Sequence, residues 1–364
     1  MRYLPDNIGL YIHIPFCAKK CLYCDFYSAI KSEKVYNGYL SALSREIKRW
    51  GERVDRPVDT VYFGGGTPSL LGEDIALVLS GIKKSFHVLG NAEITAECNP
   101  GCDKSFFTAA RKGGVNRLSL GVQAGDDGRL KKLGRTHTTA DVRSAVLAAR
   151  QAGFDNLSCD IMTALPESNL KTLKEDIDFV YSLSPQHISA YILKIEPNTA
   201  FYMRKDTLGL PDEDSAADQY LFLCRELESR GYEHYEISNF SLPGKKSRHN
   251  LKYWRCEEYL GIGPSAHSFL SGERFYYPRD LKAFISGNSP VPDGAGGDKA
   301  ERIMLALRTD DGVPLSLLSA AAQEKAGDYE KAGFLSIKGG KIVLSDKGML
   351  LSNGIITELL YEDL

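Results

Sequence analysis

The 364-residue sequence has no apolar run approaching the roughly 18 residues that a membrane-spanning helix needs. Its N-terminal segment, Met1 to Ile8, contains a single arginine and no long apolar core, so it lacks the pattern of a secretory signal peptide. Neither charge is in excess, since 45 basic residues face 47 acidic ones, and this balance does not favour bulk nucleic-acid binding. We therefore expect a cytoplasmic globular protein with no nucleic-acid partner.

The sequence contains eight cysteines, but only one close group of them. Three of the eight lie close together as C-x3-C-x2-C, at Cys17, Cys21 and Cys24, with no fourth cysteine beside them. In a cytoplasmic chain of this size a tight cluster more often binds metal or acts in catalysis than forms disulfides. The others are scattered, and we expect them to pack as small apolar residues: Cys98, Cys102, Cys159, Cys224 and Cys256.

Short apolar runs alternate with helical patterns in the first 200 residues. Segments such as Tyr36–Trp50 and Thr139–Gly153 fit amphipathic helices, the latter with Gly153 at its C-terminal end. This alternation predicts an α/β fold with a parallel sheet, whose functional residues lie at the C-terminal ends of the strands. About six strands are expected, beginning at Gly9, Val58, Glu93, Asn116, Asn156 and His187.

The alternation stops near residue 200. A helix is predicted from Asp212 to Gly231, and the glycine- and proline-rich stretch from Gly287 to Asp298 is predicted to be a linker. The tail from Lys299 ends in a hairpin followed by a helix, which is typical of a winged-helix-like module with a structural or docking role. We expect three domains, at residues 1–200, 201–290 and 299–364.

Two kinds of metal site compete for the three cysteines. Structural zinc almost always takes four protein ligands, and His13 would have to complete the set from the far end of the loop. A [4Fe-4S] cluster is normally held by four cysteines, so three would leave one iron open to another ligand. An open iron is typical of a reactive site, and we favour the iron–sulfur cluster.

The spacing of the cysteines resembles that of the radical S-adenosylmethionine (SAM) superfamily. The resemblance implies a partial (β/α)6 TIM-like barrel, here with a C-terminal α+β extension and the small winged-helix-like module. It also implies that the open iron binds SAM, to which the cluster passes one electron to release a 5′-deoxyadenosyl radical. Tyr23 and Phe26 flank Cys24 and would shield the cluster and line the adenine site.

The second predicted strand ends in Gly64-Gly65-Gly66-Thr67-Pro68-Ser69. Glycines let a backbone approach a ligand closely, and the stretch resembles the superfamily's glycine motif in the form found in the coproporphyrinogen-oxidase-like branch. By the same resemblance, the SAM contacts would include further residues, mostly at successive strand ends: Tyr11, Gly64, Gly65, Gly66, Thr67, Glu97, Gln123, Arg135 and Asp160. Arg135 suits the carboxylate of SAM, because guanidinium binds carboxylates through two hydrogen bonds.

The sequence departs from this branch at two places. Ala124-Gly125 follows Gln123 where serine and phenylalanine are common, and Thr163-Ala164 replaces an aromatic–glycine pair. Oxygen-independent coproporphyrinogen oxidases typically carry a longer N-terminal extension and a further cysteine at the position of Phe26. Nearly end to end, the chain instead resembles the HemW family of haem chaperones.

That resemblance is most specific at the segment HNLKYW, which matches the motif H-N-x-x-Y-W. It implies haem contact through His249, Asn250, Tyr253 and Trp254. Imidazole is a common axial ligand of haem iron, and the two aromatic residues offer flat apolar area for a porphyrin. His267 is a rival axial ligand, and the candidate partners of the haem propionates are Lys245, Lys246, Arg248 and Lys252.

Three functions therefore stay open at the level of sequence. The favoured one is a carrier that binds haem and hands it to apo-haemoproteins such as respiratory enzymes or cytochromes. The cluster and SAM would then control its conformation, its oligomeric state or the transfer. The others are a coproporphyrinogen oxidase and a radical SAM enzyme acting on haem or another substrate. A homodimer and transient contact with membrane proteins are further expectations.

Overall fold

The computed structural model describes residues 7–361 and contains the six parallel strands that the sequence predicts. Six strands pair in the order β1 (Ile8–Ile14), β4 (Val58–Gly65), β5 (Val88–Cys98), β6 (Arg117–Gln123), β7 (Leu157–Thr163) and β8 (His187–Ile192), each parallel to the next. In chain order the elements are β1 (Ile8–Ile14), β2 (Phe16–Cys17), β3 (Ala29–Ile30), α1 (Glu33–Gly51), β4 (Val58–Gly65), α2 (Asp74–Ser85), β5 (Val88–Cys98), α3 (Ser105–Gly113), β6 (Arg117–Gln123), α4 (Asp127–Lys132), α5 (Thr139–Gln151), β7 (Leu157–Thr163), α6 (Leu170–Ser182) and β8 (His187–Ile192).

The helices of this barrel begin and end where local chemistry requires. The predicted helix from Thr139 is α5, which starts with a capping box between Thr138 and Asp141. Gly153 follows its last turn with φ of 93°, a conformation that glycine adopts without strain. The predicted amphipathic segment Tyr36–Trp50 lies within α1 and buries Tyr39, among other residues, against the sheet. Helices therefore cover the outer face of the sheet, and the inner face is left for the site.

The chain beyond the barrel adds strands to both edges of the same sheet, which reaches 12 strands. On one edge β10 (Asn239–Ser241) pairs antiparallel with β8, and on the other β11 (Tyr259–Ile262) pairs parallel with β1. The added elements are α7 (Glu213–Ser229), β9 (Glu233–Glu236), β10 (Asn239–Ser241), α8 (Arg248–Trp254), β11 (Tyr259–Ile262), β12 (His267–Leu270), β13 (Glu273–Tyr276), α9 (Leu281–Ser286) and β14 (Val291–Ala295). The helix predicted from Asp212 is α7, and Asp212 caps it by accepting from the Ser215 amide.

The prediction of a linker from Gly287 to Asp298 is wrong in its central part. Residues Val291–Ala295 form β14, which pairs antiparallel with β13 at the edge of the sheet. All five residues of this strand are exposed. An edge strand tolerates proline because one side of its backbone faces solvent, and Pro292 lies in this one.

The C-terminal residues form the predicted hairpin followed by helices. The elements are α10 (Lys299–Ala306), β15 (Val313–Pro314), α11 (Ala320–Lys331), β16 (Leu335–Lys338), β17 (Lys341–Leu344), α12 (Asp346–Leu350) and α13 (Ser352–Tyr361). The hairpin β16–β17 and β15 make a separate three-stranded sheet. This arrangement of helices and a small sheet agrees with the winged-helix-like expectation.

Within residues 7–361, every helix is too short or too polar to cross a membrane.

Candidate functional site

The loop with the three cysteines leaves the C-terminal end of β1. Its two ends are held together because β2 and β3 pair in parallel, with Cys17 opposite Ile30. Cys17, Cys21 and Cys24 are half-buried, and none forms a disulfide. The pairing of β2 with β3 thus fixes a loop that presents three thiols at the rim of the barrel.

The positions of these thiols argue against the zinc alternative. Within residues 7–361, the three loop sulfurs do not all lie within 4.8 Å of one another, whereas tetrahedral zinc with bonds of about 2.3 Å holds its sulfur ligands roughly 3.8 Å apart. His13, the expected fourth ligand, accepts from the Tyr11 hydroxyl at Nδ1 and donates from Nε2 to the Tyr27 carbonyl, both at 3.1 Å. A larger cluster with one open iron suits the spacing better.

The glycine segment at the end of β4 forms a cradle beside this loop. At Gly64 a Cβ would lie 2.9 Å from the rings of Tyr11 and Tyr62, and at Gly66 it would lie 2.6 Å from the Phe16 carbonyl. Gly65 has φ of 110°, which side chains with a Cβ rarely adopt. Larger residues would therefore fill the cradle and push against the cysteine loop.

Glu97 lies at the end of β5 and completes one wall of the cradle. Its carboxylate accepts hydrogen bonds from the Tyr62 hydroxyl at 2.9 Å and from the Gly65 amide at 3.2 Å. Burial, together with the nearby charge of Asp160, raises the pKa of Glu97 to about 8. A positively charged group brought into the cradle would be attracted by this carboxylate and would favour its ionised form.

Arg135 also contacts the cysteine loop. It donates to the Cys21 sulfur at 3.5 Å and to the Gly121 carbonyl at 2.9 Å, while its buried Nε atom has no hydrogen-bond partner. A buried donor without a partner is uncommon in proteins. The guanidinium therefore has capacity left for an anionic group at the rim.

Two more predicted residues lie at neighbouring strand ends. Gln123 adopts φ of 70° next to a register shift between β6 and β7, so the backbone is turned at the point where the strand ends. Asp160 accepts from the Ser119 hydroxyl at 2.9 Å, and burial raises the pKa of its carboxyl group. Glycine at 121 makes room for both neighbours, because a Cβ there would lie 2.9 Å from Gln123 and 3.2 Å from Arg135.

Two predicted residues connect the cradle to its surroundings. Thr67 donates to the Cys17 sulfur at 3.5 Å and so joins the glycine segment to the cysteine loop. Tyr11 on β1 stacks on Tyr62 with 6.2 Å between ring centroids. Together with Arg135, these contacts gather the predicted residues at one rim.

The aromatic residues flanking Cys24 differ from each other. Tyr23 packs toward Phe201, with ring centroids 6.4 Å apart. The Phe26 ring is 69% exposed. In this conformation Tyr23 lines the site, while Phe26 is exposed at the rim and accessible to a ligand.

The two loops that depart from the expected pattern are well packed. A Cβ at Gly125 would lie 2.6 Å from Phe179, and the Gly125 amide donates to Asp176 at 2.5 Å. Ala164 adopts φ of 53°, and its amide donates to Gln219 at 3.2 Å. The local sequence changes are thus accompanied by specific local contacts.

Together these residues fit an iron–sulfur cluster and the amino acid portion of SAM. The loop supplies three thiols, the cradle is a space that a Cβ would fill, and the Arg135 Nε atom lacks a partner. A carboxylate acceptor and a guanidinium donor flank the space, as a zwitterionic amino acid requires.

The segment predicted to contact haem forms α8 and lies against the inner face of the barrel. His249 is 1% exposed, its Nδ1 bonds Thr60 at 2.8 Å and its Nε2 bonds Tyr253 at 2.8 Å. The His249 amide also donates to Glu93 at 3.0 Å. Both ring nitrogens are therefore occupied, and His249 cannot bind iron in this conformation.

The other residues of this motif are more accessible. Asn250, Tyr253 and Trp254 are half-buried, and Tyr253 packs edge to face on Tyr259 with centroids 4.6 Å apart. Tyr253 and Trp254 thus have ring area left to contact a ligand, although the Tyr253 hydroxyl is held by His249.

Lys252, a predicted partner of the propionates, is buried in an ion-pair network. It lies 2.9 Å from Asp59 and 3.2 Å from Glu257, with its side chain 2% exposed. Lys246 pairs with Asp310 at 2.5 Å, and Arg248 donates to the Asn91 carbonyl. Of the four predicted cations, Lys245 alone has no ion-pair partner among residues 7–361.

His267, the rival axial ligand, lies at the start of β12. Its side chain is exposed, and its ring stacks on Tyr276 with 5.2 Å between centroids. It therefore offers an imidazole that an approaching ligand can reach.

Sequence reasoning missed two residues inside the barrel. Tyr62 contacts Glu97, Tyr11 and His249, and the pattern that marks it is the alternation of Thr60, Tyr62 and Gly64 on one face of β4. Arg117 is 2% exposed and lies close enough to influence Glu97 and Asp160. Its position at the start of a strand gave no signal of this role.

Comparison with known proteins agrees with this arrangement. The model of the Radical SAM superfamily matches residues 11–180, and that of the HemN C-terminal domain matches residues 300–351. The solved structure of coproporphyrinogen III oxidase (HemN) from Escherichia coli covers 98% of this chain and 91% of its own with a TM-score of 0.83. At 22% identity, that likeness shows a shared fold, the partial TIM-like radical SAM barrel with its C-terminal extension.

Curated relatives are similar over almost the whole length. The heme chaperone HemW of Lactococcus lactis is 32% identical over 97% of this chain and 97% of its own. That of Bacillus subtilis is 37% identical over 97% of this chain and 99% of its own. The chain therefore belongs to the radical SAM superfamily and, within it, to the HemW family.

Proposed function

We propose that this protein is a haem chaperone, which binds haem and passes it to apo-haemoproteins. The observation that carries the proposal is the similarity to heme chaperones HemW over 97% of the chain, from the barrel through the C-terminal module. The presence of Phe26, where oxygen-independent coproporphyrinogen oxidases typically have a further cysteine, also favours a carrier over an oxidase.

Cys17, Cys21 and Cys24 hold a [4Fe-4S] cluster in this proposal. When bound, the cluster and SAM supply one-electron chemistry at the rim of the barrel. The protein's own part is to hold SAM. Glu97 accepts hydrogen bonds from the ammonium group of SAM, and Arg135 donates hydrogen bonds to its carboxylate. Thr67 keeps the cradle against the cysteine loop. The remaining contacts are Tyr11, Tyr23, Phe26, Gly64, Gly65, Gly66, Gln123 and Asp160.

Haem, the cargo, lies against the α8 motif in this proposal, with Tyr253 and Trp254 giving apolar area to the porphyrin. For His249 to bind the iron, it must first leave Thr60 and Tyr253, to which it is bonded at 2.8 Å. Haem uptake through His249 thus requires α8 to move. His267 needs no such movement, since it is exposed.

The chaperone activity is tested with anaerobically reconstituted protein. Loaded with haem, it should transfer the haem to an apo-cytochrome, measured by the gain of the cytochrome's absorption spectrum. The same preparation with coproporphyrinogen and SAM should produce no stoichiometric 5′-deoxyadenosine and no carbon dioxide. Decarboxylation with stoichiometric 5′-deoxyadenosine would replace the chaperone by the oxidase.

The axial ligand is tested with His249→Ala and His267→Ala, with His87→Ala as the control because that histidine is also exposed. Loss of the haem Soret band in one variant, with iron–sulfur absorbance intact, assigns the ligand to that position. Unchanged binding in His249→Ala would remove His249 as ligand and leave α8 as a structural element.

The recipients in this proposal are respiratory enzymes or cytochromes, which adds transient contact with membrane proteins to the protein's cytoplasmic role. A homodimer is the last element, and sedimentation with and without the cluster tests it directly. A single monomeric species under both conditions would remove it.

A further inference from the structure

Cys224, His234 and Asp346 come together at the junction between the sheet and the C-terminal module. Cys224 is fully buried on α7, His234 belongs to β9, and Asp346 is the first residue of α12. One potential ligand atom from each lies within 4.8 Å of the other two. In the described part of the chain, this is the one set of three such side chains that meets that criterion.

The hydrogen bonds around His234 leave its Nδ1 atom facing a carboxylate. The Tyr220 hydroxyl donates its only proton to the Ile237 carbonyl at 3.0 Å, so His234 Nε2, 3.4 Å from that hydroxyl, is satisfied as the donor. Nδ1 then faces the Asp346 carboxylate at 2.8 Å. Two acceptors this close need a cation between them, which is either a proton or a metal ion.

The surroundings favour a metal ion over a proton. An ion pair between the His234 imidazolium and the Asp346 carboxylate involves only those two groups. A metal ion would also bind the buried thiol of Cys224 as a third ligand. The charged side chains that act on that thiol, Asp346 and Glu228, are both acidic. A divalent cation would offset this negative charge and the cost of burying it.

The geometry is close to that of a zinc site. Tetrahedral zinc takes sulfur, nitrogen and oxygen ligands and keeps them roughly 3.2–3.8 Å apart. The His234 and Asp346 atoms, 2.8 Å apart, need to separate by about 1 Å or less to reach that range. Stacking on Phe240 with centroids 4.3 Å apart fixes the ring, and Tyr220 receives the other ring proton, as the outer partners of zinc-bound histidines do.

We propose that Cys224, His234 and Asp346 bind one divalent cation, with zinc as the ion this ligand set selects and water as the fourth ligand. Binding releases two protons to solvent, one from the Cys224 thiol and one from between His234 Nδ1 and the Asp346 carboxylate. The ion ties α7 and β9 of the sheet to α12 of the C-terminal module, so that the module is held against the sheet. The site is separate from the cysteine loop and does not depend on the haem chaperone activity.

The test measures metal content and ligand type in protein purified anaerobically with its cluster. Elemental analysis should give one zinc per chain beside the iron. Zinc-edge X-ray absorption should fit one sulfur at about 2.3 Å and two or three nitrogen or oxygen atoms at about 2.0–2.2 Å. A fit with three or more sulfurs, or absence of zinc after dialysis against micromolar zinc, would overturn the site.

Variants separate this site from the cluster. Cys224→Ala and Asp346→Asn should lose zinc while keeping their iron, and Cys159→Ala, which removes another buried thiol, should keep both. In the metal-free protein, added zinc should raise the melting temperature of the wild type and not that of Asp346→Asn, whose side chain keeps its shape. Zinc retention in Cys224→Ala, or equal melting shifts, would contradict the assignment.

Discussion

The ring of Tyr62 stacks on the imidazole of His249, with 5.2 Å between centroids and 24° between planes. The Tyr62 hydroxyl at the same time donates to Glu97 at 2.9 Å. One side chain therefore contacts both the α8 motif and the cradle at the rim of the barrel. Movement of α8 would change the packing on Tyr62. It would thereby affect the hydrogen bond between Tyr62 and the Glu97 carboxylate, which faces the cradle.

Tyr62→Phe removes the hydroxyl and leaves the stacking area. We expect SAM affinity to fall about tenfold, because a hydrogen bond to a charged group contributes about 1.5–3 kcal/mol. Equilibrium dialysis of SAM under anaerobic conditions measures the change. Tyr36→Phe is the matched control, since its hydroxyl bonds Leu71 and Asp74 away from the site. Unchanged affinity in Tyr62→Phe would show that the bond does not position Glu97 for SAM.

The pKa of Glu97 predicts how SAM affinity depends on pH. Burial raises this pKa to about 8, so below pH 8 the carboxyl group is protonated and must lose its proton to receive an ammonium group. We expect affinity to fall about tenfold for each pH unit below 8 and to level off above it. Glu97→Gln should bind SAM more weakly and lack this slope.

Dissociation constants of both proteins between pH 6 and 9 give the answer. Their ratio at each pH cancels the titration of SAM itself. A ratio that stays constant across the range would show that Glu97 does not take up a proton in the free protein.

The parallel strands and the cysteine loop could be predicted from sequence because their signals are local. Apolar runs mark β1 and β4, and the spacing of Cys17, Cys21 and Cys24 marks the cysteine loop. The edge strand β14 was missed because its glycine and proline indicate a linker, and its pairing with β13 depends on partners that, from Tyr276–Val291 to Glu273–Ala295, are 15 to 22 residues away.

The burial of His249 could not be predicted for the same reason. Its ring bonds Thr60, which is 189 positions earlier in the chain, and its backbone bonds Glu93. A motif read locally looks like an exposed ligand set, whereas the tertiary contacts place its histidine inside the barrel. The arrangement of Tyr62 between His249 and Glu97 is likewise a product of strand order.

Gly66→Ala tests the fit between the cradle and the cysteine loop. The new Cβ would lie 2.6 Å from the Phe16 carbonyl, so the backbone beside Cys17 must shift. We expect lower iron content after reconstitution and a lower melting temperature. Gly81→Ala in α2 is the control, because no atom lies within 4 Å of its Cβ and alanine favours helix by about 1 kcal/mol over glycine. Full iron loading in Gly66→Ala would contradict the close packing.

Lys252→Met separates a structural from a haem-binding role for the α8 lysine. Lys252 is buried between Asp59 and Glu257, so its loss leaves two carboxylates without their cation. Removing one partner of a buried ion pair costs about 3–5 kcal/mol, and we expect a marked fall in the free energy of unfolding, measured by denaturant titration. Lys245→Met, which breaks no ion pair among residues 7–361, should leave that stability unchanged. If Lys252 instead pairs with a haem propionate, its variant would lose haem affinity at nearly full stability, and the network with Asp59 and Glu257 would then have to open when haem binds.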